Sequence, residues 1–186
     1  MKNLIIVMVV LILLPGASEG SGPYRAYWFT DGDDPSAEAF QVSVSIYSPY
    51  IIRNWIRNDT INGFLTCQFG VDLGSDLVQG TTTNTDIATS MGSPVTENWV
   101  VTFSECQYDE WVWLCRYEMF YAGTPHCTVF LTASESGKMN VATCEGGPEG
   151  DLPLATLDIG SQFGVNMYCM SDAEEDSWGA VKAIYR

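Results

Sequence analysis

One histidine, His126, stands in the whole 186-residue sequence, and lysine and arginine together number only 8. A lone imidazole excludes zinc sites built from several histidines, and any Ser-His-Asp or Cys-His arrangement would have to run through that residue. Against 23 acidic residues the few basic ones leave a formal net charge of −15. Such a chain repels phosphate backbones and anionic lipid, which disfavours nucleic acid and membrane surfaces as partners. There is also no Cys-x-x-Cys spacing, no fixed-period repeat and no low-complexity tract. Redox motifs of the thioredoxin type and paired zinc knuckles therefore find no support.

Long hydrophobic runs are nearly absent too. Residues 4–14 form one uncharged apolar stretch of eleven, where about 20 are needed to span a bilayer. Lys2 precedes it and the small-residue run Pro15-Gly16-Ala17-Ser18-Glu19-Gly20 follows. That order of charge, apolar core and cleavage site is the pattern of a secretory signal peptide, expected over residues 1–20. Its removal takes away Lys2 and Glu19, leaving 7 basic against 22 acidic residues and the same net charge of −15. All six cysteines, Cys67, Cys106, Cys115, Cys127, Cys144 and Cys169, lie beyond the leader. An exported chain matures in an oxidising compartment, so disulfides among these six are expected. An aromatic share of 12% argues for a packed domain rather than an acidic disordered chain.

Period two dominates what is present. In residues 40–46, Phe40, Val42, Val44 and Ile46 alternate with Gln41, Ser43 and Ser45, the pattern of a half-buried strand. Further β-rich runs cover residues 24–29, 63–69, 98–104, 111–121, 126–132, 139–144 and 164–170, separated by turn material such as residues 31–35, 134–137 and 146–150. No helical stretch lies between them. The expectation is an all-β antiparallel sandwich of about eight strands, immunoglobulin-like or jelly-roll-like, over residues 21–171. Residues 75–96, rich in Gly, Thr, Ser and Asn, read as a long surface loop or an edge strand followed by one. Residues 172–186 read as an acidic hinge and a short amphipathic C-terminal helix, with Trp178, Val181 and Tyr185 on one face. Two or three turns are not stable alone in water, so this tail is expected to dock, either on the sandwich as a structural element or, the slightly favoured reading, as a partner-binding or sorting element.

The tail Trp178-Gly-Ala-Val-Lys-Ala-Ile-Tyr-Arg186 resembles a terminal signature, roughly Ser/Thr-Trp-Gly-x-Ile/Val-Lys-x-Leu/Ile-Tyr-Arg, of secreted proteins of environmental bacteria. Phe103-Ser-Glu-Cys106-Gln, Cys127, Cys144, Val165-Asn166 and Cys169 are similar to the body of that group, with Cys67 and Cys115 as additions to its four-cysteine pattern. The resemblance implies export and a β-rich fold and carries no activity.

Each chemical candidate has a structural alternative. His126 in its run reads as a half-exposed strand histidine. Asp31, Asp33 and Asp34 concentrate three carboxylates on a turn, an oxygen set that suits weak calcium binding, although a solvated turn is the preferred reading and no cofactor is otherwise implied. Residues 53–57 are the one basic and aromatic cluster: Arg53, Trp55 and Arg57 would bind a sugar or a partner side chain if the ring is exposed, and otherwise anchor a loop. In residues 111–121, Trp111, Trp113, Cys115, Tyr117, Met119 and Tyr121 are expected on one face of a buried strand and Val112, Leu114 and Phe120 on the other. Asn58-Asp-Thr60 is a formal N-glycosylation sequon. If residues 134–137 close a hairpin, residues whose numbers sum to 271 face each other, which pairs Cys127 with Cys144. By elimination Cys106 would then join Cys169, and Cys67 would join Cys115.

Two function classes remain. The favoured one is a secreted or cell-surface, non-catalytic module with a structural, adhesive or assembly role and a protein, cell-surface or self-assembly partner. The alternative is an extracellular carbohydrate-binding module or sandwich-type glycoside hydrolase, which needs an open aromatic row or a carboxylate pair in a cleft.

Overall fold

The computed structural model describes residues 23–96, 98–131, 139–145 and 152–169. Twelve strands account for the ordered elements: β1 (Tyr24–Thr30), β2 (Gln41–Val42), β3 (Pro49–Asn58), β4 (Phe64–Asp72), β5 (Leu77–Thr83), β6 (Ile87–Met91), β7 (Trp99–Gln107), β8 (Trp111–Phe120), β9 (His126–Leu131), β10 (Asn140–Thr143), β11 (Leu154–Ile159) and β12 (Phe163–Val165). A 3-10 turn, Pro35–Ala37, is capped by Asp34.

The strands form two layers. The first runs β11-β1-β3-β8-β5, and the second places β6-β7-β4-β10 in order, with β9 continuing along β4 and leading to β12 and β2. The layers are joined where β10 pairs with both β4 and β11. Most pairs are antiparallel, as expected, but β1 with β11 and β2 with β12 are parallel, so the sandwich is mixed. Inward residues at period two supply an aromatic core. In β1 these are Tyr24, Ala26 and Trp28, all at most 1% exposed. Trp28 stacks on Phe130 at 4.5 Å between ring centroids and meets Tyr117 at 5.4 Å. Phe69 joins Phe130 to Trp99 at 5.3 and 5.4 Å. Burial of such rings is the main driving force for joining the layers, at about 25 cal/mol per Å² of apolar surface removed from water.

Four sequence expectations need correction. The cleanest alternating stretch, residues 40–46, is strand only at Gln41–Val42, and Phe40 and Ile46 are 51% and 56% exposed. The backbone of Val44 is instead taken by the Asn166 side chain, whose Oδ1 accepts from Val44 N at 2.8 Å and whose Nδ2 donates to Val44 O at 2.7 Å. Val42 and Val44 are partly buried against the core, and it is the two ends of the segment, Phe40 and Ile46, that the sheet edge beside the three-residue β12 leaves uncovered. Conversely, residues 49–58 make the long central strand β3, where loop geometry was expected around Trp55. Residues 75–96 hold two strands, β5 and β6, most of whose residues are exposed.

The third correction is a phase change in β8. Asn54 pairs with Cys115 and Trp55 with Trp113, leaving Leu114 as the extra residue of a bulge. Asn54 Oδ1 holds Cys115 N at 2.7 Å, and its Nδ2 donates to Tyr117 Oη at 3.3 Å. An inserted residue exchanges the faces of a strand beyond it. Trp111 and Trp113 therefore lie on the outer side, whereas Cys115, Tyr117 and Met119 are buried in the core.

The fourth concerns the cysteines. Cys106 is bonded to Cys144 and Cys127 to Cys169, while Cys67 and Cys115 are buried free thiols. The expected Cys127–Cys144 bond and the two derived from it are replaced because β9 and β10 form no hairpin. Both run antiparallel to β4 one after the other, β9 against Gly70 to Asp72 and β10 against Phe64 to Gln68. The expected signal peptide, the turn at residues 134–137 and the C-terminal helix lie outside the described residues.

Candidate functional site

Two groups singled out separately in the sequence, the acidic turn and the basic aromatic cluster, form one surface. On the outer side of the first layer, β1 presents Arg25, Tyr27 and Phe29, β3 presents Arg53, Trp55 and Arg57, and β8 presents Trp111, Trp113, Arg116 and Glu118. Cross-strand register sets Tyr27 beside Trp55, Trp55 beside Trp113, Arg57 beside Trp111 and Arg53 beside Arg116. Arg25, Arg53, Arg57 and Arg116 are the only Lys or Arg among the described residues. All four lie on this one face.

Arg53 is the hub. Its guanidinium carbon sits 5.7 Å from the Trp55 ring centroid and 5.3 Å from that of Trp113. The same group donates to Gly32 O and to Asp31 Oδ1, both at 2.9 Å, and reaches Asp33 Oδ1 at 3.3 Å. Asp31 Oδ2 accepts from Arg116 Nε at 3.0 Å, and Arg116 reaches Glu118 at 2.6 Å. A second set repeats the design: Arg57 lies 5.4 Å over Trp111 and pairs with Asp59 and Glu110 at 2.9 and 3.1 Å, while Arg25 shares Asp59 at 3.4 Å. Tyr27, Phe29 and Trp111 close the aromatic part, with centroids 5.1 to 5.7 Å apart. Guanidinium planes over indole faces combine cation–π attraction with apolar contact.

This geometry decides the exposure of Trp55, which is only 5% exposed although it stands on an outer face. Arginine covers it rather than a second protein layer. The carboxylates of the acidic turn likewise have partners, Asp31 and Asp33 with arginine and Asp34 Oδ1 with Ser36 N and Oγ at 3.0 and 2.6 Å. Calcium at this turn would have to displace guanidinium groups. No cluster of three or more metal-ligating side chains occurs among the described residues.

The other candidates are scattered. His126 Nδ1 lies 3.0 Å from Thr124 O, and its Nε2 is 3.8 Å from Asp76, a carboxylate that accepts Tyr50 Oη at 2.6 Å and Ala122 N at 2.9 Å. Gly74 lies against this ring at a φ of +67°, where a Cβ would fall 2.2 Å from His126, so the close approach needs glycine. The free thiols are poor nucleophiles. Burial pushes Cys115 up to about 12 and Cys67 higher still, against an ordinary thiol pKa of about 8.5. Asn58 of the sequon is 4% exposed, with its Oδ1 held by Thr60 N at 3.1 Å, so the folded chain does not offer it for glycosylation. The tail residues Trp178, Val181 and Tyr185 lie outside the described residues. Sequence reasoning missed Tyr27 and Arg116 as members of the face, and placed Trp111 and Trp113 in a buried strand with Cys115 and Tyr117.

No protein-family model and no curated protein matches the chain. Among solved structures, it is similar to a cohesin module from a Clostridium perfringens family 33 glycoside hydrolase, at 11% identity and a TM-score of 0.52, covering 78% of this chain and 98% of that one. The sixth cohesin of the Acetivibrio cellulolyticus scaffoldin B, solved in complex with a dockerin, is similar at 10% identity and a TM-score of 0.51, covering 78% of this chain and 99% of that one. At this identity the likeness is one of fold.

Proposed function

We propose that this chain is a non-catalytic extracellular module that docks a protein partner through the arginine–aromatic face of its first layer. The observation that carries this reading is the Arg53 guanidinium placed between Trp55 and Trp113 and tied to Asp31. Trp, Tyr and Arg are the residue types that dominate protein-interface energetics, and ordering them before contact lowers the entropy lost on binding. One structural neighbour was solved with a dockerin bound, so a sandwich of this shape supports protein docking. The leader, the acidity and the two disulfides fit export, and residues 177–186 supply a second attachment element.

The carbohydrate-binding alternative needs open ring faces for sugars to stack on. Arg53 covers those of Trp55 and Trp113, which favours the protein partner. The test is to immobilise the exported chain, identify what it retains from the secreted fraction of its host, and measure Kd for the purified partner. Arg57→Ala and Trp113→Ala are expected to weaken that Kd at least tenfold. Unchanged affinity in both variants, with retention of a glycan instead, would overturn the proposal.

A further inference from the structure

A cleft of about 290 Å³ lies at the margin of this face, lined by Glu38, Phe40, Gln41, Ser161, Gln162 and Tyr168 among others. Phe40 is anchored by tilted packing on Phe29, with ring centroids 5.2 Å apart, yet it is 51% exposed; Tyr168 is 63% exposed. Gly160 forms part of the wall, and a Cβ there would come within 2.3 Å of the Tyr27 ring. The cleft is thus continuous with the aromatic packing of the first layer.

Its charge differs from that of the neighbouring face. On the face, the carboxylates of Asp31, Asp33, Asp59, Glu110 and Glu118 each have an arginine within 4 Å. Glu38 is positioned by a hydrogen bond from the Thr30 hydroxyl, and none of the described residues lining its cleft is basic. Exposed aromatic rings beside a carboxylate, in a chain of net charge −15, favour a cation. Gln41 and Gln162 can turn their amide oxygens toward N–H donors. We propose that the cleft takes a cationic side chain, arginine or lysine, from a partner protein, with the charge held against Glu38 and the apolar stem against Phe40 and Tyr168. The assignment stands whether or not the adjoining face docks a partner, because the probe below is a single side chain.

The experiment follows amide shifts of the exported chain by NMR during titration with acetyl-Gly-Arg-Gly-amide and with the same peptide carrying neutral citrulline. Saturable shifts confined to Phe40, Gln41, Gln162 and Tyr168 are expected from the arginine peptide only. Glu38→Gln should weaken the arginine peptide about tenfold and Phe40→Ala about threefold to tenfold, in line with the loss of a charge partner and of a cation–π contact. Phe40 is half-exposed, so its truncation leaves the core intact, and the native amide spectrum verifies this. Equal shifts with citrulline, an arginine response unaffected by both substitutions, or saturation by a neutral methyl glycoside instead would each overturn the proposal.

Discussion

The two outer faces of the sandwich share one core and are held together differently. On the first layer every described arginine lies among tryptophan, tyrosine and aspartate, and the strands carry no disulfide. Opposite, the second layer shows Thr66, Gln68, Val100, Thr102, Asn140 and Ala142, none of them charged, with Thr66 bonded to Thr102 at 3.1 Å and Gln68 to Asn98 at 3.1 Å. Both disulfides fall on that side: Cys106–Cys144 ties the end of β7 to the end of β10 across β4, and Cys127–Cys169 ties β9 to the segment after β12. One layer is thus clamped on its surface by charge and stacking, and the other is clamped by covalent bonds. In a chain with so few cations, gathering all the described ones on one face neutralises the carboxylates there.

The largest expected effect tests the covalent side of this contrast. Cys67 in β4 and Cys115 in β8 should be the only thiols, and labelling at pH 8 should be about a thousandfold slower in the native protein than after unfolding, given a pKa of about 12 for Cys115. Rapid native labelling, or no thiol in the unfolded chain, would break the comparison. Next, replacing Cys106 and Cys144 with Ala should cost about 3 to 4 kcal/mol, since the bond closes a separation of 38 residues. Peptide mapping without reductant should recover Cys106 with Cys144.

Arg53→Ala tests the other clamp. It removes cation–π contacts to two rings and pairing to two aspartates from a side chain 14% exposed, and should cost about 2 kcal/mol in urea denaturation. The loss should shrink in 1 M salt, which screens the ionic part. A cost below about 0.5 kcal/mol would mean that the rings alone hold the face. The smallest effect is expected opposite, where Thr66→Val with Thr102→Val should change stability by less than about 1 kcal/mol, because a partly exposed hydroxyl pair contributes little net. Equal costs on both faces would remove the distinction.

Much of the fold was legible locally. In β1 the alternation of Tyr24, Ala26 and Trp28 with Arg25 and Tyr27 identified a strand, and turn residues bounded most others. Residues 40–46 misled for a physical reason: alternation records which residues would share a face, but burial needs a partner layer, and beside the short β12 that cover reaches Val42 and Val44 but not Phe40 and Ile46. The candidate site was half legible. Arg53, Trp55 and Arg57 were visible as a cluster, and Asp31 and Asp33 as another, yet nothing local relates two segments 20 residues apart.

By itself, then, the sequence determined an all-β chain with an aromatic core, because side-chain periodicity and turn chemistry act over a few residues. Tertiary structure decided that both Trp residues of β8 face outward, through a single bulge residue, Leu114, next to which Asn54 holds the backbone of Cys115. It also decided which cysteines meet, through the successive pairing of β9 and β10 along β4, and brought Asp31 onto Arg53. Each of these is a contact between segments distant in the chain, where the energy of pairing and packing, rather than local preference, selects the outcome.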